Sequence, residues 1–318
     1  MAKIKGEQEG KETKQAAEKM GCMAEVDLTG LGVALITPFK EDGSIDFDAL
    51  PRLVDYQLEN GTDYIVALGT TAETPTLFRQ EKNEVVRCIV ERVNGRVPVV
   101  MGVGGNNTAA LVDELQTSDF TGVSAILSVT PYYNKPSQEG LFQHYRALSN
   151  YSPLPIVLYN VPGRTGVNMT AETALRIAHH CPNVIATKEA SGNLQQIKAI
   201  AEGAPEGFHV ISGDDAVTTA VIELGGIGVI SVFANAFPKE MSWLVRSGLG
   251  GDPVNARSEM EANYNELFHL MFVEGNPAGV KCMLHEKGMI LNRLRLPLVP
   301  VSEETHVRIK RALAKFSR

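Results

Sequence analysis

The sequence has few cysteines and lacks a long apolar run, and both features narrow the class of protein. Its 318 residues include four cysteines, Cys22, Cys88, Cys181 and Cys282, without a CxxC pair. Neither a disulfide framework nor a zinc knuckle is indicated. No stretch approaches the roughly 20 apolar residues that a membrane helix needs. Since the N-terminus also lacks the apolar segment of a signal peptide, we expect a cytoplasmic protein.

An excess of positive charge is also lacking. The chain has 30 Lys and Arg residues against 37 Asp and Glu residues, for a formal net charge of -7, and the charges are spread along the sequence. This balance argues against a nucleic-acid surface and against a polybasic membrane contact. Small polar molecules are the more natural partners.

Short runs rich in Val and Ile alternate with amphipathic helical stretches from residue 31 onward. Eight such runs predict strands at 32–38, 64–69, 97–102, 124–129, 155–160, 184–189, 209–213 and 228–232. Eight strand and helix units over roughly 210 residues match a (β/α)8 TIM barrel of the α/β class. A doubly wound open sheet is the alternative, because periodicity does not show whether a sheet closes.

Helices are predicted between the strands at 47–59, 80–93, 109–117, 138–149, 171–180, 194–202 and 216–224. Asp46, Thr108, Ser137, Thr170 and Asn193 precede these stretches and are candidate N-caps. After residue 250 the strand signals stop and three further helical patterns follow. We therefore expect a disordered N-terminal extension (1–24), a catalytic barrel (25–250) and a C-terminal helical domain of three helices (251–318).

A lysine ends the sixth predicted strand, in the segment VIATKEASGN (184–193). In barrels of this class the chemistry lies at the C-terminal ends of the strands. Side chains alternate along a strand, so we predict that Lys188 shares the inner face with Ala186 and Val184. Burial disfavours the charged ammonium, and the neutral amine attacks carbonyl groups, which favours a Schiff-base lysine. The alternative is a charged lysine paired with Glu189 or Asp214.

Polar segments follow other strands too. In chain order the sequence carries GTTAETPTL, PYYNKPSQEGLFQHY, LYNVPGRTG, IATKEASGN and SGDDAVT. Together they resemble the dihydrodipicolinate synthase branch of the N-acetylneuraminate lyase superfamily, over about residues 30–318. The resemblance implies a lyase of the lysine (diaminopimelate) biosynthesis route that condenses pyruvate with L-aspartate 4-semialdehyde. It also implies a homotetramer built as a dimer of dimers, and no metal or organic cofactor.

The resemblance assigns roles to eight residues. It implies that Lys188 forms the imine with pyruvate, that Tyr159 is the acid/base, and that Thr70 and Tyr133 complete a proton relay, with Tyr133 supplied across the tight dimer. Thr71 would bind the pyruvate carboxylate and Arg164 the carboxylate of the aldehyde. Gly213 would leave room over Lys188, and the backbone carbonyl of Ile230 would face the site.

Arg164 bears on the choice of second substrate, because a planar guanidinium can bind a carboxylate bidentately. The lysine imine alone would equally suit a 2-keto-3-deoxy sugar-acid aldolase or an N-acetylneuraminate lyase of the same superfamily. Sialic-acid lyases usually lack this arginine, so its presence favours the synthase. A non-catalytic pyruvate or amino-acid sensor is a third alternative.

The sequence departs from the family pattern around a regulatory cleft. Ala72 replaces the glycine that usually follows GTT. Where feedback-regulated members bind lysine with a glutamate and histidines, the aligned residues are Ala110, Arg79 and Lys82, although Asn106 and Tyr132 remain. Removing an anion and adding cations should repel the ammonium groups of lysine. We therefore predict weak or absent lysine feedback.

Overall fold

A computed structural model describes residues 26–316 and shows a closed barrel of eight parallel strands in sequential order. The strands are β1 (Gly30–Ala34), β2 (Tyr64–Ala67), β3 (Val99–Gly102), β4 (Ala125–Val129), β5 (Ile156–Asn160), β6 (Val184–Glu189), β7 (His209–Ser212) and β8 (Gly228–Ser231). β1 pairs with β8 and closes the sheet. The predicted (β/α)8 barrel is confirmed, and the open sheet is wrong.

Helices follow the strands as predicted. They span Ala49–Glu59, Arg79–Val93, Thr108–Thr117, Gln138–Tyr151, Ala171–His180, Leu194–Gly203, Thr218–Glu223 and Pro238–Leu249, with a one-turn helix at Pro162–Thr165. The helix Pro238–Leu249 was not among the helices predicted from the sequence. The stretch predicted as one helix at 216–224 is divided, because a 3-10 turn (Asp215–Val217) precedes the α-helix.

Four of the five predicted N-cap residues accept a backbone N–H bond at the start of their helix. The side chains of Ser137, Thr170 and Asn193 accept backbone N–H bonds of their helices, and Asp46 accepts one from the first residue of its helix. The prediction for Thr108 is wrong, because the preceding residue, Asn107, accepts the bond from Ala110. An amide side chain at the cap satisfies the orphan donor equally well.

The apolar core consists of two clusters, one enclosed by the barrel and one between the strands and the surrounding helices. The inner cluster includes Ala186 and Ile230, and the outer one lies between strands and helices. Val184 belongs to the outer cluster and Ile185 contacts the inner one, so the prediction that Val184 faces inward is wrong. The pairing of β5 with β6 shifts register at this point, which reverses the alternation.

Three helices follow the barrel, at Pro253–Phe272, Ala278–Glu286 and Glu303–Leu313, as the sequence predicts. Phe233 and Phe237 at the end of the barrel pack against Tyr264 of the first. The division into domains stays a prediction, and the predicted N-terminal extension lies outside the described residues. Across residues 26–316, none of the helices has the length and apolar character to cross a membrane.

Candidate active site

A cavity of about 230 Å³ lies at the C-terminal ends of the strands. It brings together six of the eight residues that the sequence singled out, which are Thr70, Thr71, Tyr159, Arg164, Lys188 and Gly213. Tyr159 and Lys188 lie near the ends of β5 and β6, and the other four residues belong to segments that follow β2, β5 and β7. The parallel strands deliver these distant segments to one end of the barrel, the usual place for chemistry in this fold.

Lys188 lies next to Tyr159 on adjacent strands. The two residues are register partners in β5 and β6, so their side chains leave the same face of the sheet. The side-chain nitrogen Nζ lies 4.3 Å from the centre of the tyrosine ring, and Lys188 is only 4% exposed. Below it, Ala186 leaves room in the barrel interior. The amine therefore meets the cavity in a place that is largely shielded from water.

The two carboxylates that could neutralise Lys188 are engaged elsewhere. Glu189 accepts from Asn160 Nδ2 at 3.1 Å through both oxygens and from Ser191 N at 2.8 Å. Burial raises the pKa of the Glu189 carboxyl above its ordinary value. Asp214 accepts from Ala216 N at 3.0 Å. Neither forms an ion pair with Lys188 in the described part of the chain, so the alternative of a paired structural lysine is wrong.

The turn that carries Thr70 and Thr71 is held in a strained conformation. Leu68 (φ 54°) and Glu73 (φ 56°) flank it, and both lie in the left-handed region that is costly for residues with a side chain. Such strain persists only where the surrounding structure imposes it. Thr71 is buried, and its hydroxyl accepts from Asn276 Nδ2 at 2.9 Å.

Arg164 belongs to the one-turn helix after β5, and its side chain reaches the same cavity as Lys188. The guanidinium donates to the backbone carbonyl of Asn276 at 3.4 Å. It has no carboxylate partner among residues 26–316. A cation that borders a cavity without a counter-ion is available for an anionic ligand. The residue is nevertheless exposed in the single chain, so the role of Arg164 stays a prediction.

Gly213 is required by the close packing around Lys188. A Cβ at this position would lie 2.7 Å from Ala190 Cβ and 3.1 Å from Lys188 Cε. The glycine therefore leaves room for the lysine itself as much as for a ligand over it. Ile230 is buried in the barrel wall, where it pairs with Gly32. It does not line the cavity.

Tyr133 is the other predicted residue that does not line the cavity. Its side chain is 89% exposed in the single chain, and its backbone lies at φ 71°. An exposed aromatic side chain on a strained backbone does not serve the packing of its own chain. The proton relay through Thr70, Tyr159 and Tyr133 stays a prediction.

Sequence reasoning missed the contribution of the C-terminal region to the cavity. Phe272, the last residue of the first C-terminal helix, and Asn276, in the loop after it, are part of its lining. Lys281, a few residues further on, forms a fully buried ion pair with Glu73 at 2.5 Å. The periodic pattern identified only a helix here, because nothing local in the sequence relates position 276 to the threonines about 200 residues earlier.

The fold and the site define a (β/α)8-barrel protein with a buried lysine among hydroxyl groups and an arginine, and this lysine has no ion-pair partner in the described part of the chain. Comparison with known proteins gives the family. The model of the dihydrodipicolinate synthetase family matches residues 27–316. The chain belongs to this family, and the predictions of the family and of a lyase-class enzyme are confirmed.

Individual relatives agree. The chain is 59% identical over 295 residues to a 4-hydroxy-tetrahydrodipicolinate synthase of Parabacteroides distasonis, which covers 93% of this chain and 99% of the relative. The crystal structure of dihydrodipicolinate synthase from Aquifex aeolicus is similar with a TM-score of 0.87 at 39% identity, over 91% of this chain and 98% of the other. A chloride-inhibited dihydrodipicolinate synthase from Acinetobacter baumannii, complexed with pyruvate, has the same TM-score, identity and coverage.

Proposed function

We propose that this protein condenses pyruvate with L-aspartate 4-semialdehyde, as a 4-hydroxy-tetrahydrodipicolinate synthase of the diaminopimelate route to lysine. One observation carries the proposal: a buried lysine and an arginine, both without a carboxylate partner among residues 26–316, line the same cavity. The first suits a keto acid and the second a carboxylate-bearing aldehyde. The names of the relatives support the same reaction.

The reaction begins at Lys188. Its neutral amine adds to the keto carbon of pyruvate, and the carbinolamine loses its hydroxyl as water to give the imine. Loss of a methyl proton gives the enamine, so the protonated imine is the electron sink and neither a metal nor an organic cofactor is required. Tyr159, alongside the amine, is placed to give and take these protons.

The proton path beyond Tyr159 includes Thr70 and Tyr133. We assign Tyr133 to the neighbouring copy in a tight dimer of a homotetramer, and its exposure in the single chain supports this assignment. A chain of hydroxyl groups can pass protons in both directions, as imine formation and deprotonation require.

Thr71 binds the carboxylate of pyruvate in this scheme. The second substrate lies with its carboxylate on Arg164, and the enamine carbon attacks its aldehyde carbon. The aldehyde oxygen is protonated to a hydroxyl. The amino group of that substrate then displaces Lys188 from the imine carbon, which closes the ring and frees the lysine. The backbone carbonyl of Ile230 has no assigned step in this scheme, because Ile230 does not line the cavity. We place the reaction in the cytoplasm.

A coupled assay tests the proposal. Purified protein is incubated with both substrates and an NADPH-dependent dihydrodipicolinate reductase, and NADPH oxidation is followed. N-acetylmannosamine and a sugar-derived aldehyde replace the semialdehyde in parallel reactions that are analysed by product mass. We expect NADPH oxidation that depends on pyruvate and on the semialdehyde. Condensation with a sugar aldehyde only would instead assign the protein to the sugar-acid aldolases or lyases.

A further inference from the structure

Asn276 occupies a position between the two substrate-binding side chains. It lies at the C-terminal ends of the strands, although it belongs to the loop that precedes the helix Ala278–Glu286. Its side chain donates to Thr71 Oγ1 at 2.9 Å, and its backbone carbonyl accepts from Arg164 at 3.4 Å. It is 7% exposed. One residue of the C-terminal region thus touches the side chains assigned to both carboxylates.

The bond to Thr71 fixes which way that hydroxyl can act. A threonine hydroxyl has one proton to donate and two lone pairs. Because Thr71 Oγ1 accepts from Asn276 Nδ2, its own proton is left to donate to another acceptor. A carboxylate is an acceptor only, so a donating hydroxyl is the form that binds it.

The other amide atom of Asn276 points to the same conclusion. Its Oδ1 is buried and makes no hydrogen bond within residues 26–316. A buried polar atom without a partner costs stability, so a purely structural site would favour an apolar residue of similar shape. An asparagine at this position is explained if its donor acts on Thr71.

We infer that Asn276 is a positioning residue that orients the Thr71 hydroxyl as a donor to the carboxylate of the keto acid. This inference rests on the proposed function, because it assumes that Thr71 binds that carboxylate. It makes the C-terminal region a determinant of keto-acid affinity. Substitutions of the side chain at 276 keep the backbone carbonyl that accepts from Arg164. They should therefore change the affinity for the keto acid but not the affinity for the second substrate.

Two isosteric variants test the orientation. Asn276→Leu removes the donor without adding charge, and we expect the KM for pyruvate to rise about threefold to tenfold, the usual worth of one neutral hydrogen bond. Asn276→Asp turns the donor into an acceptor, which draws the Thr71 proton away from the substrate. For this variant we expect a rise of about tenfold to a hundredfold. The KM for the semialdehyde should stay nearly unchanged in both.

Asn183→Asp is the matched control. Asn183 is buried to the same degree as Asn276 and donates to Ser149 O at 3.0 Å. It lies directly before β6, at the opposite end of the barrel from the cavity. Thermal unfolding of the two Asp variants measures the common cost of burying a carboxylate, while the KM for pyruvate should change only at position 276.

A double-mutant cycle with Thr71→Val decides whether Asn276 acts through the hydroxyl. Without that hydroxyl, Asn276→Leu should add less than about a twofold change in the dissociation constant of pyruvate. An undiminished effect in the Thr71→Val background, or an unchanged KM in Asn276→Asp, would overturn the inference. Turnover of the wild type with pyruvate separates the two proposals. Its absence would refute the proposed function. Normal wild-type turnover together with unaffected variants would refute only the role of Asn276.

Discussion

The buried ion pair between Lys281 and Glu73 connects the C-terminal helices to the turn that carries Thr70 and Thr71. Neither side chain is exposed, and the nitrogen lies 2.5 Å from Glu73 Oε1. Lys281 also donates to Arg293 O, and the second Glu73 oxygen accepts from Arg295 N, both at 3.0 Å. Burial lowers the pKa of Lys281 to about 8, and Glu73 opposes this shift.

Substitution of one partner should cost much more than substitution of both. In Lys281→Met the Glu73 carboxylate stays buried and loses its cation, which costs about 3–5 kcal/mol in the free energy of unfolding. In the double variant Glu73→Gln and Lys281→Met the buried charge is gone, and we expect a loss of less than about 2 kcal/mol. Since Glu73→Gln alone should also cost about 3–5 kcal/mol, the coupling between the two positions should be at least about 4 kcal/mol.

Equilibrium unfolding in urea at pH 7 measures this coupling in the two single variants and the double variant. Arg257→Met together with Glu223→Gln is the surface control, because that pair is partly exposed and its loss should cost less than about 1 kcal/mol. If the single losses at 281 and 73 are small, or if they simply add in the double variant, the buried pair does not hold the turn as we describe.

Further substitutions and conditions test other parts of the site. Arg164→Ala should raise the KM for the semialdehyde by about tenfold to a hundredfold, while the KM for pyruvate stays nearly constant; an equal rise in both would exclude a selective role. Burial raises the pKa of Asp215 from 3.8 to about 6. The folded state thus binds this proton more tightly than the unfolded state does. About 3 kcal/mol of the free energy of unfolding, present below pH 4, should therefore be lost as the pH rises through about 6. Urea titrations of wild type and Asp215→Asn check this slope, which the variant should lack. Lysine should inhibit turnover weakly or not at all, because Arg79, Lys82 and Ala110 replace the lysine-binding residues; half-inhibition by sub-millimolar lysine contradicts this.

Much of the fold could be predicted because it depends on local patterns. Each strand of the barrel is a short apolar run, and the helices between them have amphipathic periodicity. Lys188 could be placed at a strand end from its position after VIAT. The orientation of Val184 could not be predicted, because it follows from the register shift in the pairing with the neighbouring strand at Ile156. Local alternation contains no information about a partner strand.

The candidate site was predictable only where its residues lie at the end of a strand or follow it. Tyr159 lies near the end of β5, and Thr70, Arg164 and Gly213 follow strands. The cavity brings all four to Lys188. The contacts of Asn276 with Thr71 and of Lys281 with Glu73 join residues more than 200 positions apart. Such contacts arise from the way in which the C-terminal helices pack on the barrel, and a single sequence gives no signal for them.

Trapping the imine tests the assignment of Lys188 most directly. The protein is incubated with pyruvate and sodium borohydride, digested, and mapped by peptide mass, with Lys188→Arg as the control. Lys281 is the internal comparison, because it is also buried and burial lowers its pKa, but it is paired with Glu73. We predict one reduced pyruvyl adduct, on Lys188 only and absent from the variant. No adduct on wild type, or an adduct on Lys281, would contradict the Schiff-base site described above.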